Sequence, residues 1–508
     1  MLPSSETDAA RRTSRAKSGS IASLMAVLLS ACAAVGPSYH APTAETLALP
    51  PTWQAAQPHQ GQSAQLQDWW ARLGDPLLVE LQRSANANNP SMQKATARIA
   101  AARASLASSK AAGAPSLNGS GSATRASAGA ANSSGGTIVN STLSGGLDAS
   151  WELDLFGSVR RNVEASAATA QAREADWNDA RVSLAAEVAS DYITYRACLA
   201  TLQLTRADAA SRQATARITM GSWRDGASTS IDATLAEASA ASGRASQLAQ
   251  EAECEVNLKA MVALIGMPEP ALRQLLNSGA GHALQAAPFA VQSLPVTLLS
   301  QRPDLVAKER GLAAASASIG LAEASRYPRL SLNGSITRNL QTSGATQVSN
   351  TPWSFGPSLS LPLFDGGAGK ASVRSAEANY VIALADYRQA VNSAVQEVEQ
   401  NLIRLASAEA READVQRSAA GYRAVATATE ASWRAGADSL LSYEQTRRDA
   451  IAAEQSQVTV QRDRLLYGVA LYKAVGGGWD VNANPNTPEA QRLSPADAPA
   501  SIPTPSNK

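Results

Sequence analysis

The stretch Trp353-Ser354-Phe355-Gly356-Pro357-Ser358-Leu359-Ser360-Leu361-Pro362-Leu363-Phe364 alternates with the period of a β-strand. Trp353, Phe355, Pro357, Leu359, Leu361 and Leu363 share one parity, and Ser354, Gly356, Ser358, Ser360 and Pro362 the other. Successive side chains of a strand point to opposite faces, so such a strand carries one greasy wall and one small, polar wall. A membrane barrel strand has this pattern, apolar toward lipid and polar toward a wet lumen. A half-buried strand of a soluble sandwich alternates in the same way, and the stretch alone does not separate the two.

A second stretch, Leu147 to Phe156, tips the balance. Leu147, Ala149, Trp151, Leu153 and Leu155 face one way, while Asp148, Ser150, Glu152 and Asp154 face the other. Three carboxylates on one face cannot point at a dry core or at lipid without large cost, so Asp148, Glu152 and Asp154 are expected to face a water-filled lumen. Weaker alternation runs through Leu117–Thr124 and Leu330–Arg338. The chain thus offers two strands within about residues 115–156 and two within about 328–364, joined by a Gly, Ser and Ala loop at 125–141 and a polar loop at 339–350.

Each strand pair is followed by a long helical pattern. From Gly157 no proline occurs up to Met220, which predicts a helix of roughly 95 Å at 1.5 Å per residue. Gly221–Ser230 breaks it, and Ile231–Ile265 resumes, so 157–266 reads as a helical hairpin. The second hairpin, 368–474, turns at Ala435-Gly436-Ala437-Asp438. Shorter helices are expected over Leu77–Ala112, where Gly74-Asp75-Pro76 offers a cap and a first-turn proline, and over Leu294–Arg326. Pro268 and Pro270 open an irregular linker, 268–293, and the Pro- and Asn-rich tail 477–508 is expected to be disordered.

The two halves repeat each other. Pro115-Ser116-Leu117 matches Pro328-Arg329-Leu330, Leu153, Leu155 and Phe156 match Leu361, Leu363 and Phe364, and Trp223-Arg224-Asp225-Gly226-Ala227 matches Trp433-Arg434-Ala435-Gly436-Ala437. The separation of about 210 residues marks a duplication, with repeats at 69–267 and 294–476, rather than a short-period solenoid. Four strands cannot close a barrel, which needs about eight even for a packed interior. Three copies would supply twelve, and their helices, too polar for a membrane span, would form a matching tube outside it.

Composition narrows the alternatives. The net charge of +1 gives no electrostatic case for nucleic acid. No apolar run approaches the roughly 20 residues of a spanning helix. The three histidines, His40, His59 and His282, lie in no metal-binding spacing. Neither a nucleophile elbow nor a phosphate-cradling glycine loop occurs, so no enzyme, cofactor or metal site is expected. At the start of the chain, Arg11, Arg12, Arg15 and Lys17 precede the short apolar run Ile21–Ala31, which reads as a signal peptide, 1–31. Its end, Leu29-Ser30-Ala31-Cys32, resembles the bacterial lipoprotein signal. That resemblance implies a diacylglyceryl and N-acyl lipid on Cys32 and, with Ala33 following, sorting to the outer membrane. The alternative is an ordinary signal peptide with a chance cysteine. Residues 32–68 read as an extended arm.

The order of elements, the duplication and Cys32 resemble the TolC-like outer membrane factors, in particular the OprM/NodT-type efflux lipoproteins. The supporting runs are Trp69-Trp70 with Gly74-Asp75-Pro76-Leu77, Gln301-Arg302-Pro303-Asp304-Leu305, Tyr327-Pro328-Arg329-Leu330 and Leu361-Pro362-Leu363-Phe364-Asp365-Gly366-Gly367. The fold class this implies is an α+β membrane protein: a homotrimeric, 12-stranded β-barrel in the outer membrane, four strands per chain, continuous with a periplasmic α-helical barrel. The resemblance also implies docking to a periplasmic adaptor (membrane fusion protein) and an inner-membrane RND-type pump, with the channel as a passive exit duct for drugs or other small toxic compounds.

By the same resemblance the hairpin turns are periplasmic tips. Trp223, Arg224, Gly226, Trp433, Arg434 and Gly436 become adaptor-contact candidates, although the glycines are also what a positive-φ turn requires and the arginines could cap their own helices. Asp232 matches a gate aspartate position. The second repeat departs from the pattern, with Ser442 and Gln445 where the family often has acids and Asp438 and Glu444 nearby. Each acid could equally be a solvated charge at a helix start. Cys198 and Cys254, on the two arms of the first hairpin, could be bridged in an oxidising compartment; two small buried thiols are the blander reading. Two other functions stay open: a TolC-like exit duct for type I protein secretion, and a structural coiled-coil surface lipoprotein. The second would need bulky heptads, where these helices are rich in alanine.

Overall fold

The computed structural model describes residues 34–55, 66, 69–129, 137–278, 301–343 and 346–478. Cys32, the rest of the signal segment, residues 279–300 with most of the expected 268–293 linker, and the tail beyond Gly478 lie outside them. In chain order the helices are α1 (Pro76–Asn88), α2 (Pro90–Ala111), α3 (Ser158–Arg224), α4 (Ser230–Ile265), α5 (Glu269–Ser278), α6 (Pro303–Ala324), α7 (Ala368–Arg434) and α8 (Leu440–Ala474). The strands are β1 (Ser116–Gly129), β2 (Thr137–Leu153), β3 (Arg329–Ser343), β4 (Thr346–Asn350) and β5 (Trp353–Ser360). The described residues form two compact units: a sheet unit within the bounds Met1–Pro42, Ile99–Arg173 and Lys308–Tyr387, and a helical unit within Thr43–Arg98, Glu174–Ala307 and Arg388–Lys508.

In the sheet unit the strands run antiparallel in the order β1-β2-β3, and both β4 and β5 pair with β3. Segments β4 and β5 are one fourth strand interrupted at Thr351-Pro352, where proline lacks the N–H that the ladder needs and its carbonyl accepts instead from the Thr337 N–H, 3.0 Å. Most of both expected loops is strand: 125–129 and 137–141 extend the first hairpin, and 339–343 pairs with 346–350. Runs of Gly, Ser and Thr hide these strands, because with small polar residues on both faces no alternation shows. The opening stretch is shorter than its pattern suggests. Pairing stops at Ser360, ahead of Pro362, and Leu361–Phe364 lie beyond the sheet.

Register makes the two faces explicit. On one side lie the rows Leu117–Ala149–Gly334–Phe355, Gly119–Leu147–Ile336–Trp353, Trp151–Leu332–Pro357 and Leu153–Leu330–Leu359. On the other lie Ser116–Ser150–Asn333–Gly356, Asn118–Asp148–Ser335–Ser354 and Glu152–Ser331–Ser358. The polar face is laced by its own hydroxyls and amides: Ser122 to Ser144 and Ser335 to Ser354 at 2.8 Å, and Ser150 donating to Asn333 at 3.0 Å. The apolar face is uncovered, with Trp353 75%, Phe355 71% and Leu359 68% exposed.

The arm is fastened to this unit. Val35 N–H donates to the Phe156 carbonyl (3.1 Å), and the buried Arg161 guanidinium donates to the carbonyls of Val35 and Gly36. Gly36 and Gly157 both have positive φ, and a Cβ on either would collide with Gly320 or Ala34, so the close approach demands glycine.

In the helical unit Asp75 caps α1, accepting from the Leu77 N–H at 3.0 Å and from the Tyr192 hydroxyl at 2.6 Å. Trp69 stacks on Tyr472 with ring centroids 5.1 Å apart. The expected helix 77–112 is broken at Asn89-Pro90: the residue before a proline leaves the helical region, and the Asn89 side chain accepts from Ser91 N–H to start α2. The 268–293 linker opens with a helix, α5, because Pro268 and Pro270 sit where a first turn tolerates them. Helix α6 starts at Pro303, inside the expected 294–326 run. Cys198 and Cys254 are disulfide-bonded across α3 and α4, with Cα atoms 5.6 Å apart, so the two-thiol reading is corrected. Among the described residues no helix is long and apolar enough to cross a membrane.

Candidate functional site

Two regions carry the chemistry. The first is the pair of hairpin turns in the helical unit. Helix α3 ends with the Gly226 N–H donating to Trp223 O (3.0 Å) and the Ala227 N–H to Ser222 O (2.7 Å); α7 ends with Gly436 to Trp433 O (2.9 Å) and Ala437 to Ser432 O (2.9 Å). Both are Schellman closures, with glycine at φ +75° and +76° in the left-handed position that the motif needs. The duplicated sequence therefore builds the same turn twice. Trp223 and Arg224 are exposed. Trp433 stacks on Tyr443, centroids 5.5 Å apart, and the exposed Arg434 pairs with Glu430 one turn back.

The helices after the turns begin differently. Asp232 is the third residue of α4 and closes a capping box, its carboxylate accepting from Thr229 N–H while the Thr229 hydroxyl accepts from Asp232 N–H. At the matching place in α8, Ser439 caps the Ser442 N–H at 3.1 Å, and Ser442 brings no carboxylate. Asp438 and Gln445 are exposed, the latter donating to Asp449 at 3.0 Å. Glu444 is the exception: only 6% exposed, it accepts from the Thr215 hydroxyl of α3 at 2.6 Å.

Around Glu444 the structure assembles groups that sequence reading did not single out. Arg447 donates to the Ala207 carbonyl at 2.7 Å, and its other terminal nitrogen lies 3.8 Å from Asp208 and 3.9 Å from Glu444. Asp208 is held by Arg212 at 2.7 Å, which also reaches Ser239 on α4. One charged cluster thus joins α3, α4 and α8. Beside it opens a cavity of about 460 Å³, lined among others by Arg212, Thr219, Asp232, Leu235, Leu441 and Arg448. Mid-helix Asp and Arg are ordinary solvated residues in one dimension, and only the packing of three helices reveals them as a cluster. Elsewhere in this unit burial and the neighbouring Asp304 push Asp179 up to about 6, against the opposing pull of Lys473 and Arg302.

The second region is the polar face of the sheet. Asp148 and Glu152 lie on it, paired in register with Ser335 and Ser331. Asp154 does not. It lies past the end of β2, where its carboxylate accepts from the Val159 and Arg160 N–H groups at 3.0 and 2.9 Å and caps α3. The strand pattern carried the eye one pair too far: free N–H groups at a helix start are a better partner for a carboxylate than a further strand position. Among the described residues no group of His, Cys, Asp and Glu is placed to hold a metal ion.

The sequence profile of the outer membrane efflux protein family matches residues 81–267 and 294–477, that is, both repeats. The chain is 31% identical to outer membrane protein OprJ of Pseudomonas aeruginosa over 473 residues, covering 91% of this chain and 96% of OprJ. It is 28% identical to the solvent efflux pump outer membrane protein SrpC of Pseudomonas putida, covering 90% of this chain and 98% of SrpC. Among solved structures, the outer-membrane channel OprN superposes with a TM-score of 0.71 at 28% identity, over 88% of this chain and 99% of OprN. With two matched repeats, a two-faced sheet and paired long hairpins, the chain belongs to the outer membrane efflux protein family and is an outer-membrane efflux channel protein.

Proposed function

We propose that three copies of this chain close a 12-stranded barrel and a helical tube, forming the exit duct of a tripartite efflux system. An inner-membrane RND-type pump delivers small toxic compounds into it through a periplasmic adaptor. The observation that carries this is the sheet: one face has a broad, uncovered apolar band, the other is polar and acidic, and neither β1 nor the β4/β5 strand is paired at its outer edge among the described residues. Unpaired edges in lipid cost several kcal/mol per group, so a spanning sheet must close. The relatives named for efflux favour this over protein secretion, and the sheet has no place in a coiled-coil lipoprotein. Deleting the gene while leaving adaptor and pump genes intact is expected to raise susceptibility in a drug, solvent and metal-ion panel. Unchanged susceptibility to every compound would sink the efflux reading.

The Cys32 lipid fits the fastening of the arm. Val35 is bonded at the strand-to-helix junction Phe156, so an acyl chain only three residues earlier would enter the leaflet beside the barrel's lower rim. Trp223, Arg224, Gly226 and their counterparts Trp433, Arg434 and Gly436 form the adaptor-facing tips. Asp232 and Asp438, with Ser442, Glu444 and Gln445, lie at the constriction, where three-fold symmetry would turn one Asp into a ring of three. Replacing Asp232 by Ala is expected to raise single-channel conductance in planar bilayers and to weaken block by multivalent cations. Unaltered conductance and block would remove Asp232 from the constriction.

A further inference from the structure

The apolar face of the sheet is interrupted by charge at two places, and the two are equivalent. Register puts Arg125 of β1 opposite Ser141 and Arg338 of β3 opposite Gly145, both on the side of Leu117, Leu147, Leu332 and Phe355. Each arginine lies ten residues past the proline that opens its repeat's first strand, Pro115 or Pro328. Leu117 faces Ala149 while its counterpart Leu330 faces Leu153, a four-residue stagger along β2. Arg125 and Arg338 show the same stagger, from Ser141 to Gly145. In a barrel of tilted strands such a stagger brings equivalent residues to one height.

That height is informative. From Leu117 to Arg125, and from Leu330 to Arg338, is eight residues, about 26 Å along a strand. With the strands tilted, the intervening band spans roughly 20 Å, close to the apolar belt of an outer-membrane barrel. An arginine on the lipid face is costly at mid-membrane and nearly free at the interface, so this pair marks the far headgroup level. Arg125 is exposed and lies on a shallow groove of about 290 Å³. The hydroxyl residues Ser141 and Thr342 and the apolar Ala123, Leu143 and Leu340 share that groove, all on the same face. Arg338 is also exposed and donates a long, 3.5 Å hydrogen bond to the Thr351 hydroxyl. A guanidinium with hydroxyls beside it and leucines below suits a phosphate carrying acyl chains.

We propose that Arg125 and Arg338 form a phosphate-binding girdle on the lipid-facing wall, which holds phosphorylated, multi-acylated glycolipid of the outer leaflet. In the trimer six arginines ring the barrel at one level, and the polyanionic headgroup of such a glycolipid meets more than one of them. The girdle rests on reading the sheet as part of a membrane barrel.

The test uses the full-length protein in nanodiscs of phosphatidylcholine alone, or with added lipid A or added phosphatidylglycerol. Lipid retained on the purified protein is counted by native mass spectrometry. The unaltered protein is expected to retain lipid A several-fold above phosphatidylcholine. The double variant Arg125→Gln/Arg338→Gln should lose about five-fold of that retention, and Arg125→Lys/Arg338→Lys should keep part of it. Retention undiminished in the Gln variant would overturn the proposal. Phosphatidylglycerol held as well as lipid A would overturn the glycolipid assignment. A protein that enters none of the three bilayers would overturn the barrel reading beneath it, a result distinct from loss of phosphate selectivity.

Discussion

Replacing Phe355 by Asp is expected to abolish stable assembly in the membrane. Phe355 sits in the middle of the apolar face, in the row Leu117–Ala149–Gly334–Phe355, and is 71% exposed. A charge on the lipid side of a barrel costs up to about 2–4 kcal/mol at mid-membrane for a basic residue and less for an acidic one. Losing a ring that lipid would keep from water adds about 2 kcal/mol. In the proposed trimer three copies multiply both terms, a loss on the order of 10 kcal/mol, comparable to the whole stability of a domain. The readout is the folded, heat-modifiable oligomer in the outer-membrane fraction. The neighbouring substitution Ser354→Asp, on the polar face beside Ser335 and Asp148, is the control and should assemble. Equal assembly of both variants would show that this face does not meet lipid.

The double substitution Cys198→Ala/Cys254→Ala is expected to destabilise the first hairpin by about 2–4 kcal/mol, since the bridge closes a loop of 56 residues. Hydrogen exchange should then quicken in α3 and α4 below the bridge, toward the turn, with little change in α7 and α8. Exchange unchanged in the first hairpin would show that helix packing alone holds it. The second hairpin gives an internal comparison. By the spacing of the duplicated turns, Cys198 and Cys254 correspond to Ala408 and Arg464. Arg464 instead reaches across to Glu409 (3.7 Å) and Glu412 on α7. One hairpin is clasped covalently and the other by part-buried ion pairs worth about 1 kcal/mol each, so the two resist separation unequally.

Each kind of residue announces a different part of the structure. Long helices were legible because proline is absent for sixty residues and glycine marks each end; Gly226 and Gly436 occupy left-handed turns that few other residues adopt. The best strand faces were legible where bulky and polar residues alternate, as in Trp353–Leu359. The outer halves of the hairpins were not, because Ser-, Gly- and Thr-rich strands look like loops. Asp154 misled for a related reason: a strand pattern that continues past the last ladder pair cannot show that backbone N–H groups of α3 are waiting for its carboxylate.

By itself the amino-acid order determined the duplication, the two-faced strands, the hairpin turns and the family, since periodicity, glycine and proline placement are local properties of a chain. Only the tertiary structure decided which residues meet across elements. The Cys198–Cys254 bridge, the burial of Glu444 against Thr215, the cluster of Asp208, Arg212 and Arg447, and the matching stagger of Arg125 and Arg338 along β2 all depend on helix packing and strand register. Parity along each strand already sets each arginine on the side of its own strand's leucines, but only the pairing along β2 shows the four-residue stagger that Arg125 and Arg338 share with Leu117 and Leu330.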